Sequence, residues 1–225
     1  MYKIFPMQSL TEENYLKAIY KLLENGESVV TTNAIAFKIR TRAASVTDML
    51  KKLSNKKLIH YQKYQGVSLT GKGKKIALGI IRKHRLWEHF LVDKLYFKWD
   101  EVHEIAEQLE HIHSEELINR IDKLLGYPKF DPHGDPIPDM HGKFAKRQSF
   151  LLTEMRSNSN CIMTGVVDHS PAFLHYLDEA GINLGDQLFI KQINEYDKSM
   201  VLTINRKKNF PISHEAGKNI LVKKK

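Results

Sequence analysis

The chain has 225 residues, room for one large domain or two to three small ones. Hydrophobic residues make up 42% and charged residues 27%, which excludes wholesale disorder, and the single cysteine, Cys161, excludes a disulfide framework and a cysteine-based zinc finger. The net charge of +9 is unevenly placed: residues 1–75 hold 14 basic and 5 acidic residues (net +9), 76–142 hold 8 and 13 (net −5) with 7 of the 11 histidines, and 143–225 hold 13 and 8 (net +5). Basic ends suit a polyanion and an acidic, His-rich centre suits a cation; scattered surface charge is the alternative. The N-terminus, MYKIFPMQSLTEENYL, has no signal-peptide pattern, and no window is long and apolar enough for a membrane span. A cytoplasmic protein without a membrane partner is expected.

In chain order, LTEENYLKAIYKLLE predicts a helix with Leu16, Ile19, Tyr20 and Leu23 on its apolar face, Thr11 as N-cap and Asn25-Gly26 as its end. A short helix, NAIAFKI, follows Thr31-Thr32, and a third runs from about Ala43 to Asn55 with Val46, Met49, Leu50 and Leu53 inward. LIHYQKYQGVSLT alternates around Gln65-Gly66 as a hairpin does. Three helices and a hairpin in a basic segment are the layout of a winged helix-turn-helix.

Helical patterns follow from Thr70 to about Lys98, from Asp100 toward His113, and from Ser114 to Leu125. YPKFDPHGDPIPDMHG is a loop, and residues 143–158 read as a polar linker. CIMTGVV, DQLFIKQI, SMVLTI and NILV, with the helix AFLHYLDEAG between, predict a small β-barrel. The expected domains are 1–75, 76–142, a linker at 143–158, and 159–225. The fold class is mainly α with small β parts.

The segment DEVHEIAEQLEHIH places His103, Glu107, Glu110 and His111 within an arc of about 100° on a helix, opposite Ile105, Ala106, Leu109 and Ile112. No Lys or Arg lies between Val102 and Asn119, so this is not an ordinary mixed-charge surface. His84 and Glu88 form an i,i+4 pair on the preceding helix. Imidazole and carboxylate together suit divalent first-row metals. Ion pairs with Arg82, Lys83 and Arg85 are the competing explanation. No His-Glu-x-x-His motif and no phosphate-cradling glycine loop are present, and no catalytic residue is assigned.

At the start of the third helix, Arg42, Ala44, Ser45, Thr47 and Asp48 occupy the positions from which a recognition helix reaches base edges. Lys51, Lys52, Lys56 and Lys57 suit phosphates, and Thr32, Arg40 and Tyr64 complete the candidate DNA contacts.

TEENYLKAIYKL, VSLTGKGKKIA, IRKHRLWEHFL, EVHEIAEQLEHIHSEEL and DPHGDPIP, in that order, resemble the diphtheria toxin repressor family, the iron- and manganese-dependent regulators of bacteria. The resemblance implies a homodimer whose subunits have a winged helix, a helical metal-binding and dimerisation domain, and a C-terminal SH3-like domain. It implies a metal site at Glu107, Glu110 and His111 with His84, to which the first helix contributes Asn14. An ancillary site would take His84, Glu88 and His103, or Glu88 with Asp131, His133 and either Asp168 or His169. Carboxylate at Glu107, where the iron-responsive type has thiolate, points to Mn(II) first, Fe(II) next, with Zn(II) and other divalent ions binding in vitro. The expected function is metal-dependent repression of metal-uptake genes at a palindromic double-stranded operator, with no small organic ligand. A metal-dependent hydrolase with an accessory nucleic-acid-binding domain and a sensor of an organic ligand are the alternatives.

Overall fold

A computed structural model describes residues 9–24, 26, 29–62 and 65–225. The chain divides into two compact units. One takes in the chain up to His84 together with Leu109–His113 and Pro138–Lys143; the other takes in Arg85–Gln108, Ser114–Ile137 and Phe144–Lys225.

In the first unit, α1 (Leu10–Glu24) starts two residues earlier than a Thr11 cap implies. Ser9, not Thr11, caps it: Ser9 Oγ accepts from the Glu12 amide at 3.3 Å while Glu12 Oε2 accepts from the Ser9 amide at 3.1 Å. That reciprocal pair is a capping box, and Ser-x-x-Glu was visible in the chain. Helix α2 (Thr32–Lys38) is capped by Thr31, whose hydroxyl accepts from the Ala34 amide. Arg40 closes the turn to α3 (Ala43–Asn55) at φ 51°, the left-handed conformation that glycine usually supplies, and the Thr41 amide donates to the Ala36 carbonyl at 2.9 Å. Leu16, Ile19, Ile35, Val46, Leu50 and Leu53 are fully buried in the core these helices share.

Strands β1 (Ile59–Gln62) and β2 (Gly66–Leu69) form the antiparallel wing, and Val30 adds a single bridge to Val67. Tyr64, a candidate DNA contact, lies outside the described residues. Helix α4 (Gly71–Leu95) begins against the wing: Thr70 Oγ1 accepts from the Gly73 amide, and the Thr70 amide donates to the Leu58 carbonyl. A Cβ on Gly73 would sit 1.9 Å from that carbonyl oxygen, so only glycine permits this approach.

In the second unit α4 ends at Leu95 and is followed by α5 (Val102–Leu109) and α6 (Glu115–Leu124), the latter capped by Ser114. The C-terminal part is a six-stranded antiparallel sheet in the order β3-β8-β4-β5-β6-β7. Its strands are β3 (Phe150–Leu151), β4 (Ser159–Val166), β5 (Gln187–Ile193), β6 (Met200–Ile204), β7 (Lys208–Ile212) and β8 (Ile220–Lys224), with α7 (Pro171–Ala180) and α8 (His214–Gly217) between. Among the described residues β3 and β7, at the two ends of the ladder, do not pair with each other, so the SH3-like sheet is open rather than a closed barrel. The expected linker differs too. Phe150–Leu151 pairs with β8, and Leu152 and Met155 are buried in the sheet's core, so the apolar residues of this polar stretch belong to the domain. Cys161 is also buried there, and burial pushes its thiol up to about 11, which makes it a packing residue and not a nucleophile or ligand.

Two glycines of α4 test this packing with opposite signs. Gly73→Ala forces the wing and helix apart and should destabilise by about 1–3 kcal/mol. Gly79→Ala meets open space on an exposed helical face and should stabilise by about 0.5–1 kcal/mol. Urea unfolding of the two variants checks both.

Candidate metal centres and nucleic-acid interface

Helix α1 carries three buried charged residues, Glu12, Glu13 and Lys17. Glu13 and Lys17 are one turn apart and therefore share a face. Glu13 Oε2 lies 2.6 Å from His111 Nδ1, and Lys17 Nζ donates to Glu110 Oε2 at 2.6 Å. His84 Nδ1 is 2.6 Å from the same Glu110 oxygen and 3.4 Å from Lys17 Nζ. His111 Nε2 stands 3.7 Å from Glu110 Oε1. Burial pushes the Glu110 carboxyl up, but the His84 hydrogen bond and the Lys17 and His84 charges outweigh it and hold it below the usual range. Half-buried Lys83 adds a second cation, lowered by burial and partly restored by Glu13 and Glu110.

This first cluster brings together His84, Glu110 and His111 but differs from the sequence expectation at two places. Asn14 is exposed, because packing of Tyr15, Leu16 and Ile19 turns it outward and turns Glu13 in. Glu107 is exposed as well, its carboxylate 3.6 Å from His103 Nε2 in the second unit. Two carboxylates and two imidazoles are donors a divalent ion accepts. The position beside Glu110 Oε2 is, however, held by the Lys17 ammonium.

The second unit holds another cluster. Glu88, Asp131 and His133 are buried, and one ligand atom from each lies within 4.8 Å of the other two. The Asp131-Pro132-His133 loop is built for this: Asp131 Oδ1 accepts from the His133 amide at 2.8 Å and the Asp135 amide at 2.9 Å. Gly134, at φ 83°, lets the loop approach β4, where a Cβ would be 2.1 Å from the Thr164 carbonyl oxygen. His133 Nε2 donates to the Trp99 carbonyl at 2.8 Å, which fixes the tautomer and turns Nδ1 toward Glu88 Oε2, 3.7 Å away. Metal-ligating histidines are held in this way by a carbonyl on the far nitrogen. Burial, Glu88 and Asp135 push the Asp131 carboxyl up to about 7. Burial works against the His133 cation, yet the Glu88 hydrogen bond and the charges of Glu88 and Asp131 raise it to about 9. Both shifts reflect an excess of negative charge in a dry site, and the donors fit a divalent cation.

Around this core, His103 Nδ1 lies 3.1 Å from Glu88 Oε1, and the His169 ring centroid lies 5.0 Å from that of His133. Asp168 instead accepts from the Ser170 amide at the start of α7, so of the two barrel candidates the fold brings His169 alongside. Arg85, which the sequence offered only as a competing ion pair, donates to Asp135 Oδ2 at 3.0 Å and to the Pro136 carbonyl at 2.6 Å, and its Nε lies 3.6 Å from Asp131 Oδ2.

On α3, Arg42, Ala44, Ser45, Asp48 and Lys51 are exposed and Thr47 is half-buried. Thr47 Oγ1 donates back to the Ala43 carbonyl at 3.1 Å, and Asp48 stands 3.5 Å from Lys51. Thr32 is half-buried in α2, and Arg40 is exposed in the turn. Lys52 is not simply solvated: Lys52 and Lys56 reach buried Glu12 Oε1 at 3.2 and 2.7 Å. Sequence periodicity placed Glu12 at a helix start and gave no sign of this tie.

Three family models match the chain in succession. Residues 7–67 match "Iron dependent repressor, N-terminal DNA binding domain", 70–139 match "Iron dependent repressor, metal binding and dimerisation domain", and 150–224 match the FeoA domain. The iron-dependent repressor IdeR of Mycobacterium leprae is 35% identical over 156 residues, 66% of this chain and 67% of that repressor. The chain belongs to the iron-dependent repressor family. For the IdeR of Mycobacterium bovis the match spans 56% of its length, at 35% identity. Solved members superpose over more of the chain. A manganese-dependent transcriptional repressor in complex with manganese shares 32% identity with a TM-score of 0.82, covering 95% of this chain and all of that one. The repressor ScaR with bound Zn2+ gives 31%, 0.73, and coverage of 95% and 99%. The family consists of metal-dependent DNA-binding repressors rather than enzymes, which removes the hydrolase reading. Among the described residues no helix is long and apolar enough to cross a membrane.

The Glu12 tie has a pH signature. Burial raises this carboxyl, but Lys56, the Ser9 amide and Lys52 hold it below the usual glutamate range. A depressed carboxyl stabilises above its unfolded pKa, and that contribution is lost as pH falls through the folded value. Wild type should therefore lose melting temperature more steeply than Glu12→Gln between about pH 5 and pH 3, and parallel slopes would refute the coupling.

Proposed function

We propose that this chain is a homodimeric, divalent-metal-dependent repressor that binds a palindromic double-stranded operator of metal-uptake genes in the cytoplasm. The observation that carries the reading is the buried Glu88–Asp131–His133 cluster, with His133 oriented by the Trp99 carbonyl, in a chain whose α3 and wing match a DNA-binding domain. Glu88, Asp131 and His133 Nδ1 would hold the ion, with His103 and His169 beside them. When bound, the ion supplies the positive charge that three buried acidic and imidazole donors lack. A donor set of carboxylates with few imidazoles favours Mn(II), then Fe(II), with Zn(II) binding in vitro.

Within the first unit, α1 ties the Glu110–His111 cluster to the recognition helix. Its Glu12 pairs with Lys52 of α3 and with Lys56, which caps that helix, and its Glu13 and Lys17 pair with His111 and Glu110. Anything that secures α1 therefore secures the recognition helix. A coupling of about 1–3 kcal/mol between an ion at Glu88, Asp131 and His133 and the operator would change operator affinity about 5- to 150-fold. Two copies related by a two-fold axis place two such helices on one duplex, hence a palindrome. Leu117 and Leu124, both exposed and seven residues apart on α6, offer an apolar strip for the partner subunit.

Selection of genomic fragments by the purified protein, in chelator and then with Mn(II), Fe(II) under argon, or Zn(II), tests the whole reading. A palindromic site should be enriched only with metal; equal enrichment in chelator removes the metal switch. Arg42→Ala should cost about 1–3 kcal/mol of operator affinity and leave metal affinity unchanged in calorimetry. Leu117→Asp with Leu124→Asp should convert the dimer to a monomer by light scattering; an unchanged mass would move the interface elsewhere.

A further inference from the structure

The first cluster is already supplied with cations by the chain itself. Lys17 is buried on α1, and its Nζ donates to Glu110 Oε2 at 2.6 Å, a charge-assisted hydrogen bond at the short end of the range. His84 meets the same oxygen at 2.6 Å, so Glu110 Oε2 has two partners. Half-buried Lys83 is a second positive group on which the Glu13 and Glu110 charges act. Two carboxylates and two lysines balance without an added ion. A divalent ion at Glu110 Oε2 would stand within hydrogen-bond distance of a buried ammonium. Burial of like charges at that distance is strongly unfavourable.

We propose that the Lys17 ammonium is the resident cation of the Glu13–Glu110–His84–His111 cluster, doing there the structural work of a metal ion. The chain's metal response is then confined to the Glu88–Asp131–His133 cluster. The consequence is specific: α1 is held to the 109–113 segment whether or not metal is present. The metal half of this statement rests on the function proposed above; the lysine half does not, and ion counting separates them.

The test is equilibrium dialysis and electron paramagnetic resonance with Mn(II) alone on the full chain. Wild type should hold one ion per chain, and His133→Ala should hold none. Lys17→Gln, which removes the charge, should gain one ion, and the double variant Lys17→Gln with His133→Ala should hold one. Lys17→Arg, which keeps the charge, should match wild type. Lys17→Ser, which clears the volume as well, gives a second variant if the glutamine disturbs folding. A lysine variant that melts low in chelator and recovers with Mn(II) also supports the proposal, because the ion then replaces the ammonium. Retention of an ion by His133→Ala, with Lys17 in place, would overturn it. So would failure of both Lys17→Gln and Lys17→Ser to gain an ion. Absence of metal from wild type, with a gain in Lys17→Gln, would sink the metal-switch reading and leave the lysine assignment standing.

Discussion

Helix α1 buries charge, and each buried charge must find its opposite inside the protein. Glu12, Glu13 and Lys17 are all withdrawn from water. An unpaired ion in such surroundings costs several kcal/mol, so the fold cannot leave any of them alone. Glu12 is met by two lysines of the recognition helix, Glu13 by His111, and Lys17 by Glu110. Adjacent residues on one helix point about 100° apart, so Glu12 and Glu13 necessarily seek different partners. That small angular fact makes α1 the connection between a nucleic-acid-reading helix and a His/carboxylate cluster.

The two clusters use similar residues and end in different electrostatic states. In the first, lysine ammonium groups lie among the carboxylates and Glu110 stays below the usual range. In the second, Glu88, Asp131 and Asp135 crowd together, and although Arg85 is near, Asp131 rises to about 7. The difference lies in which cations the local backbone can deliver. A helix turn places Lys17 four residues after Glu13, whereas the Asp131–Pro136 loop is short, tight and anchored to β4, with its backbone amides spent on Asp131 Oδ1. At that site the nearest fixed cation is the Arg85 guanidinium, 3.6 Å from Asp131 Oδ2, and, of the described residues, no lysine stands among the Glu88, Asp131 and His133 donor atoms.

Much of this architecture was legible in the chain. Helical spacing located α1, α3, α4 and α6, alternation located the wing, and the absence of Lys and Arg around residues 102–119 marked the His/carboxylate helix. At three places the fold arranges the chain differently from its sequence pattern, each for a physical reason. Asn14 was matched to the site by its place in a motif, but the apolar residues around it fix the helix rotation and bury Glu13 instead. The 143–158 segment looked like a linker because its polar residues outnumber the apolar ones, while Leu152 and Met155 were enough to seat it in the sheet's core. Glu107 shares a helical arc with Glu110, yet α5 ends at Leu109, so the ideal periodicity does not carry across.

The sequence alone determined the inventory: which segments are helical, where positive and negative charge concentrate, and that imidazole and carboxylate residues concentrate between positions 84 and 113. Those follow from composition and from periods of 3.6 and 2 residues, which are properties of the local backbone. Only the tertiary structure decided the pairings: Lys17 with Glu110, Glu12 with Lys52 and Lys56, and His133 with the Trp99 carbonyl. Those partners lie 34 to 93 residues apart. No local period links positions so distant; the burial of the cores brings them together, and the cost of an unpaired buried charge then selects who meets whom.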